Sequence, residues 1–251
     1  MASDITPLIA GNWKMNGLQA QMNEFQALGD KLATLENRNA LVAICPPATL
    51  LAAMSEKGAV SGIATGGQDC HASPNGAHTG DISALMLKDA GAAYVIVGHS
   101  ERRADHAETD AQVRAKAQAG IAAGLVPIIC VGETRAEREA GKADAIVAGQ
   151  LEGSVPDMAS EAEIVIAYEP VWAIGTGLTP TNADIAQMHA GIRRLLVERF
   201  GARGQTIRIL YGGSLKPANA KEILAVENVN GGLVGGASLL ANDFFAIISA
   251  A

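Results

Sequence analysis

The stretch Ile164-Val165-Ile166-Ala167-Tyr168-Glu169 is apolar for five residues and then ends on a carboxylate. A strand with one wet face would alternate polar and apolar residues. An unbroken apolar run this short suits a strand buried on both faces, as in a parallel sheet covered by helices. The same kind of run recurs outward in both directions, for instance at Val95-Ile96-Val97. Together these runs predict strands at 8–12, 41–45, 63–68, 94–97, 126–131, 164–168, 207–211 and 232–234. Helical signals lie between them. Thr134 with Glu137 predicts a capping box that opens one helix toward Gln150, and Thr109 with Gln112 opens another toward Ala119. Ile185, Met188, Ile192 and Leu195 make one stripe after Thr181 and Asn182, and Gly120 and Gly201 are expected at helix ends. Eight βα units in 251 residues predict an α/β protein, an eight-stranded parallel (β/α)8 barrel. The rival, an open doubly wound sheet, usually follows its first strand with G-x-G-x-x-G. Here that place reads Gly11-Asn12-Trp13-Lys14-Met15-Asn16-Gly17. No linker or composition break interrupts the pattern, so residues 1–251 are expected to form one domain.

Composition narrows the function classes. Apolar residues are 49% of the chain, which predicts a packed core. The longest apolar stretches fall short of the roughly 18–20 residues of a membrane span. Met1-Ala2-Ser3-Asp4 shows no basic-then-apolar leader. Cys45, Cys70 and Cys130 are far apart and odd in number, so neither a disulfide framework nor a metal motif is expected, and a cytoplasmic setting is. The net charge of −7, without a basic run, argues against nucleic acid and anionic membrane as partners. A small anion could still bind through one lysine, helix N-termini and glycine amides.

In such a barrel, chemistry sits at the C-terminal ends of the strands. Five ends carry suitable residues. The first gives Asn12 and Lys14, a donor and a cation that can face one side, though a lone lysine is also ordinary solvated surface. The fourth gives Gly98-His99-Ser100-Glu101-Arg102-Arg103, with His99 at the mouth and a short helix starting at Ser100. A helix N-terminus disfavours an imidazolium, so His99 is expected as a neutral donor, with a backbone-satisfied core histidine as the alternative. The sixth gives Glu169 under an apolar segment, Pro170-Val171-Trp172-Ala173-Ile174, followed by Gly175-Thr176-Gly177. Burial beneath that lid predicts a raised pKa and a base near neutral pH; a structural salt bridge is the alternative. The seventh and eighth give Tyr211-Gly212-Gly213-Ser214 and Gly231-Gly232-Leu233-Val234-Gly235-Gly236, the place where barrels commonly hold phosphate.

These segments, Asn12 to Gly17, Gly98 to Arg103, Ala167 to Gly177, Tyr211 to Ser214 and Leu233 to Ser238, together resemble the triosephosphate isomerase family. The likeness runs from about Ile9 to Phe245. It implies a TIM barrel that interconverts dihydroxyacetone phosphate and D-glyceraldehyde 3-phosphate through an enediolate, with no metal or organic cofactor. The residue roles that follow are those the family is known for. The likeness implies Glu169 as base, His99 as electrophile and proton shuttle, Lys14 and Asn12 as stabilisers of the enediolate, and Glu101 orienting Lys14. The likeness also implies that Gly175, Ser214, Leu233, Gly235 and Gly236 contact the substrate. Pro170, Val171, Trp172, Ala173, Ile174, Gly175 and Thr176 would close as a lid received by Tyr211 and Ser214. Triose phosphate would be the ligand and a second copy of the chain the partner, with Thr79 reaching the partner's site in a homodimer. Three residues depart from the family's usual pattern: Asp69 in place of Asn, His78 in place of an aromatic, and Leu178 in place of Lys. An acidic or titratable group on the third loop predicts a dimer that weakens at a pH extreme. A Schiff-base aldolase using Lys14, or a non-catalytic sugar-phosphate binder, would share the same barrel.

Overall fold

The computed structural model describes residues 5–35, 38–157, 162–174 and 178–251. Strands β1 (Leu8–Asn12), β2 (Leu41–Cys45), β3 (Ala64–Gly67), β4 (Tyr94–Val97), β5 (Val126–Val131), β6 (Val165–Tyr168), β7 (Arg208–Tyr211) and β8 (Gly231–Val234) close into one parallel barrel in chain order. The seam is β1 against β8, with Leu8 opposite Gly231 and Gly11 opposite Val234. Helices follow in sequence: α1 (Met22–Leu32), α2 (Ala48–Ser61), α3 (Ala84–Asp89), α4 (Ser100–Asp105), α5 (Asp110–Ala122), α6 (Arg135–Glu139), α7 (Ala143–Ser154), α8 (Asn182–Phe200), α9 (Ala220–Leu224) and α10 (Ala241–Ile248). The expected strands are all present, with ends shifted by a residue at most in most cases.

Two buried sets alternate along the strands. Leu8, Ala10, Ala43, Cys45, Ile96, Ile128, Cys130, Val165, Ala167, Leu210 and Leu233 fill the barrel. Ile9, Val42, Ile44, Val95, Val97, Ile129, Val131, Ile166, Tyr168, Ile209 and Tyr211 join the core beneath the helices. Side chains alternate faces along a strand, so both sets are apolar and the sequence runs show no period. The alternation also aims the site. Asn12 continues the inward series Leu8, Ala10, and Glu169 continues Val165, Ala167.

Two helical expectations are corrected. The helix from Thr134 does not reach Gln150 as one piece. Its capping box forms, but α6 stops at Glu139 and α7 restarts at Ala143. Gly141 between them has φ +69°, a left-handed turn that glycine adopts without steric cost. Gly120 is not a helix end; it is buried inside α5, where a Cβ would lie 3.0 Å from Val95 Cγ1. Gly201 does terminate α8, with φ +60°. Ile185, Met188 and Ile192 are buried on α8 as expected, while Leu195 is half-buried and Leu196 takes the deeper position.

Candidate active site

Asn12, Lys14, His99, Glu169, Ser214, Leu233, Gly235 and Gly236 all line one cavity of about 740 Å³ at the C-terminal mouth, together with Asn16, Lys216 and Asp243. Gly175 and Thr176 lie outside the described residues. Thr79 is exposed on the third loop and is not among the residues lining this cavity.

Lys14 has φ +54°, a left-handed conformation that costs a non-glycine residue about 1–2 kcal/mol. Its surroundings hold it there. Its N–H donates to Asn12 Oδ1 at 3.0 Å, and its carbonyl accepts from Gln68 Nε2 at 2.8 Å. Its ammonium pairs with the Glu101 carboxylate. The Lys14 ammonium and the Glu101 carboxylate are thus brought together at the mouth.

His99 caps α4. Its Nδ1 accepts the Glu101 N–H at 3.2 Å and its Nε2 lies 2.9 Å from Glu169 Oε1. Burial pushes the imidazole pKa down, while Glu169, and then Glu101, push it up by more. The Nδ1 bond bears on the protonation: only a ring with a free lone pair at Nδ1 can accept that N–H. That contact favours a neutral ring with its proton on Nε2, facing Glu169, whereas the two carboxylates raise the pKa and favour the protonated ring; the Nδ1 geometry is the more direct guide.

Glu169 is buried, and its expected raised pKa is corrected. Burial pushes the carboxyl up, but His99, the Ser100 N–H at 3.0 Å and Lys14 pull it down, and the net direction is below the usual carboxylate range. Ser100 Oγ adds a contact at 3.3 Å. Beneath it, Cys130 is held as a thiol, because burial and then the Glu169 charge push it far up.

The lowering comes from these partners and not from exposure, since Glu169 is buried even though the lid side chains do not cover it. Of Pro170 to Ile174, only Ile174 lines the cavity. Val171–Ala173 is a 3-10 turn with Ala173 buried. Trp172 Nε1 donates to Glu133 Oε1 at 2.8 Å, and the Arg138 guanidinium lies 4.8 Å from the Trp172 ring centroid. The buried Glu133 also accepts from Tyr168 at 3.1 Å and from Arg138 at 3.3 Å. The indole is thus drawn toward Glu133 instead of covering Glu169. Tyr211, the expected receiver of the lid, has a buried hydroxyl with no partner among the described residues.

The glycines at the far wall are informative through what a side chain there would meet. A Cβ at Gly236 would meet nothing within 4 Å, and one at Gly235 only Lys14 Cε at 3.6 Å. Packing does not require glycine at either place, so the space in front of their backbone is available to a ligand. Gly212 is different: a Cβ there would press on Glu169 Cγ at 2.9 Å.

On the third loop, Asp69, which stands in place of the family's usual Asn, is engaged within the chain. It turns inward, accepting from Lys116 at 2.8 Å and pairing with Arg102 at 3.0 Å. Burial raises its pKa despite both cations. His78 stacks on His71 with centroids 4.0 Å apart. His71, His78 and Asp81 bring ligand atoms within 4.8 Å of one another, but His71 Nδ1 already accepts the Ser73 N–H at 3.0 Å.

Sequence alone assigns no role to Gln68, Gly132, Glu133 and Arg138, and places Ser100 only as the start of a short helix, not as a partner of Glu169. Gln68 and Glu133 carry a visible signal, each a polar residue at or just past a strand end.

A family model described as triosephosphate isomerase matches residues 7–251. The triosephosphate isomerase of Afipia carboxidovorans is 64% identical over 250 residues, covering 100% of this chain and 99% of that protein. That of Rhodopseudomonas palustris is 60% identical, with 98% of each covered. The crystal structure of triosephosphate isomerase from Bartonella henselae superposes with a TM-score of 0.90 at 50% identity, covering 98% of this chain and 99% of that one.

Proposed function

The chain belongs to the triosephosphate isomerase family and interconverts dihydroxyacetone phosphate and D-glyceraldehyde 3-phosphate, a step of glycolysis and gluconeogenesis, and we propose a role for each group at the mouth. The family rules out the aldolase and non-catalytic alternatives. Glu169 takes the proton alpha to the carbonyl. His99 donates Nε2–H to the carbonyl oxygen and passes a proton between the two oxygens. Lys14 and Asn12 stabilise the enediolate, and Glu101 orients Lys14. Ser214, Leu233, Gly235 and Gly236, with Gly175, hold the phosphate end.

One observation supports this most: His99 and Glu169 share a cavity wall with two glycines that packing does not need. The Glu169 carboxylate rests on Ser100 and His99 and must leave them for substrate. Once it does, the partners that lower its pKa are lost and burial raises it, which suits a base. The lid segment from Pro170 to Thr176 would close by releasing Trp172 from Glu133, with Tyr211 and Ser214 receiving it. Closure excludes water from the enediolate.

The test is turnover of dihydroxyacetone phosphate in a coupled assay. Glu169→Ala should lose a factor of about 10²–10⁴ or more. Turnover like that of the unmodified chain would overturn the base assignment.

The same reading extends to a homodimer of single-domain 1–251 chains in the cytoplasm. Met15 is 97% exposed beside Lys14, and Met86 is 56% exposed beyond the third loop. Such apolar exposure next to a site supports burial against a second copy, with Thr79 entering the partner's mouth. Sedimentation that shows a monomer at neutral pH would refute the dimer.

A further inference from the structure

We propose that Gln68 is the positioning residue for Lys14, holding the backbone in the left-handed turn that delivers the ammonium to the substrate; this rests on the role given to Lys14 above. Gln68 follows the last residue of β3 and is half-buried. Its single amide nitrogen donates to two carbonyls, Lys14 O at 2.8 Å and Cys45 O at 2.9 Å. Cys45 O also accepts the Trp13 N–H at 3.1 Å. One carboxamide therefore ties the exit of β1 to the exit of β2.

Lys14 does not favour φ +54° on its own. The conformation survives only where surroundings satisfy its peptide groups in that orientation and in no other. Asn12 satisfies the N–H before the turn and Gln68 the carbonyl after it. Glu101 at the far end of the side chain fixes the ammonium but leaves the backbone free to turn. Without Gln68, the Lys14 carbonyl loses its donor and the residue can relax to an ordinary conformation, which swings the side chain away from the mouth. The residue type fits the task. Glutamine offers two N–H donors from one atom; an ionised glutamate offers none, and asparagine is one methylene shorter.

The experiment is a double-mutant cycle on the full chain. Gln68→Met keeps length and volume and removes both donors. It should lower kcat/KM about tenfold, and lower the affinity for 2-phosphoglycolate, measured calorimetrically, by a similar factor. In a Lys14→Ala background the same change should cost less than about twofold, because the group it positions is gone. An equal loss in both backgrounds, or no loss in the first, overturns the proposal. Thermal unfolding of Gln68→Met checks the fold; should it not fold, Gln68→Glu takes its place with the same expectations. The parent role fails separately: Lys14→Ala retaining full turnover would bring down Lys14 itself, whatever Gln68 does.

Discussion

Gly132→Ala should damage catalysis without touching a reacting group. Gly132 leaves β5 beside the backbone of Glu169. A Cβ there would lie 1.8 Å from Glu169 O, 2.7 Å from its C and 3.2 Å from its Cα. Relief to even 3.0 Å requires 1.2 Å of movement, and the obstacle is backbone, not a rotatable side chain. Neither side is loose. Gln150 holds the Gly132 N–H at 2.7 Å and its carbonyl at 3.0 Å, and Glu169 N donates to Val131 O at 2.8 Å. Shared evenly, the shift displaces the base by roughly half an ångström or more. A misplacement of about 1 Å can cost roughly 10²-fold, so kcat should fall by about 10- to 100-fold. Overpacking should cost about 1–3 kcal/mol of stability, which leaves a folded enzyme. The coupled isomerase assay reads kcat, and calorimetry with 2-phosphoglycolate reads the phosphate end, which should keep its affinity within a few-fold. A folded Gly132→Ala with kcat within threefold of the parent would refute the link between this glycine and the base.

Other perturbations have signs fixed by the same geometry. His189 is buried, and burial pushes its pKa down to about 4. The unfolded chain protonates that ring near 6.5, so between the two values the unfolded state binds more protons and stability falls as pH drops, by about 3 kcal/mol. Urea unfolding at pH 7 and pH 4.5 should show that loss, and His189→Gln should flatten it. Arg193→Met strips donors from Asn228 Oδ1 at 3.3 Å, Asn230 Oδ1 at 2.8 Å and Gly204 O at 2.5 Å. Losing one side of so buried a network should cost about 3–5 kcal/mol, read as a Tm drop of roughly 10 °C. Met15→Asp should raise the monomer fraction in sedimentation with the monomer still folded; unchanged association would place the interface elsewhere.

Local pattern was sufficient wherever the cause was local. The strands are runs with no polar break, and the boxes at Thr109 and Thr134 form as their spacing implies. Strand parity alone aims Asn12 and Glu169 inward. What stayed hidden depends on pairs far apart in the chain. Asp69 looked like a liability because Lys116, 47 positions on, is invisible to a local reading. The lowered pKa of Glu169 needs Ser100 and His99 across the mouth, and the position of Trp172 needs Glu133. Gly141 is a helix breaker legible in the sequence itself, its φ of +69° matching the break between α6 and α7.

The alternation of inward and outward residues has a consequence for how this chain can change in length. Val165, Ala167 and Glu169 share one phase, and so do Leu8, Ala10 and Asn12. Inserting or deleting a single residue within β6 would exchange that phase. Tyr168 or Pro170 would then occupy the inward position, and the base would be buried among helices. A two-residue change would keep the phase but move Glu169 by about 6.6 Å along the strand, clear of His99. Neither kind of length change is survivable inside a strand, whereas the loops beyond the mouth escape the constraint. Variation in length among functional descendants of this sequence should therefore be confined to those loops.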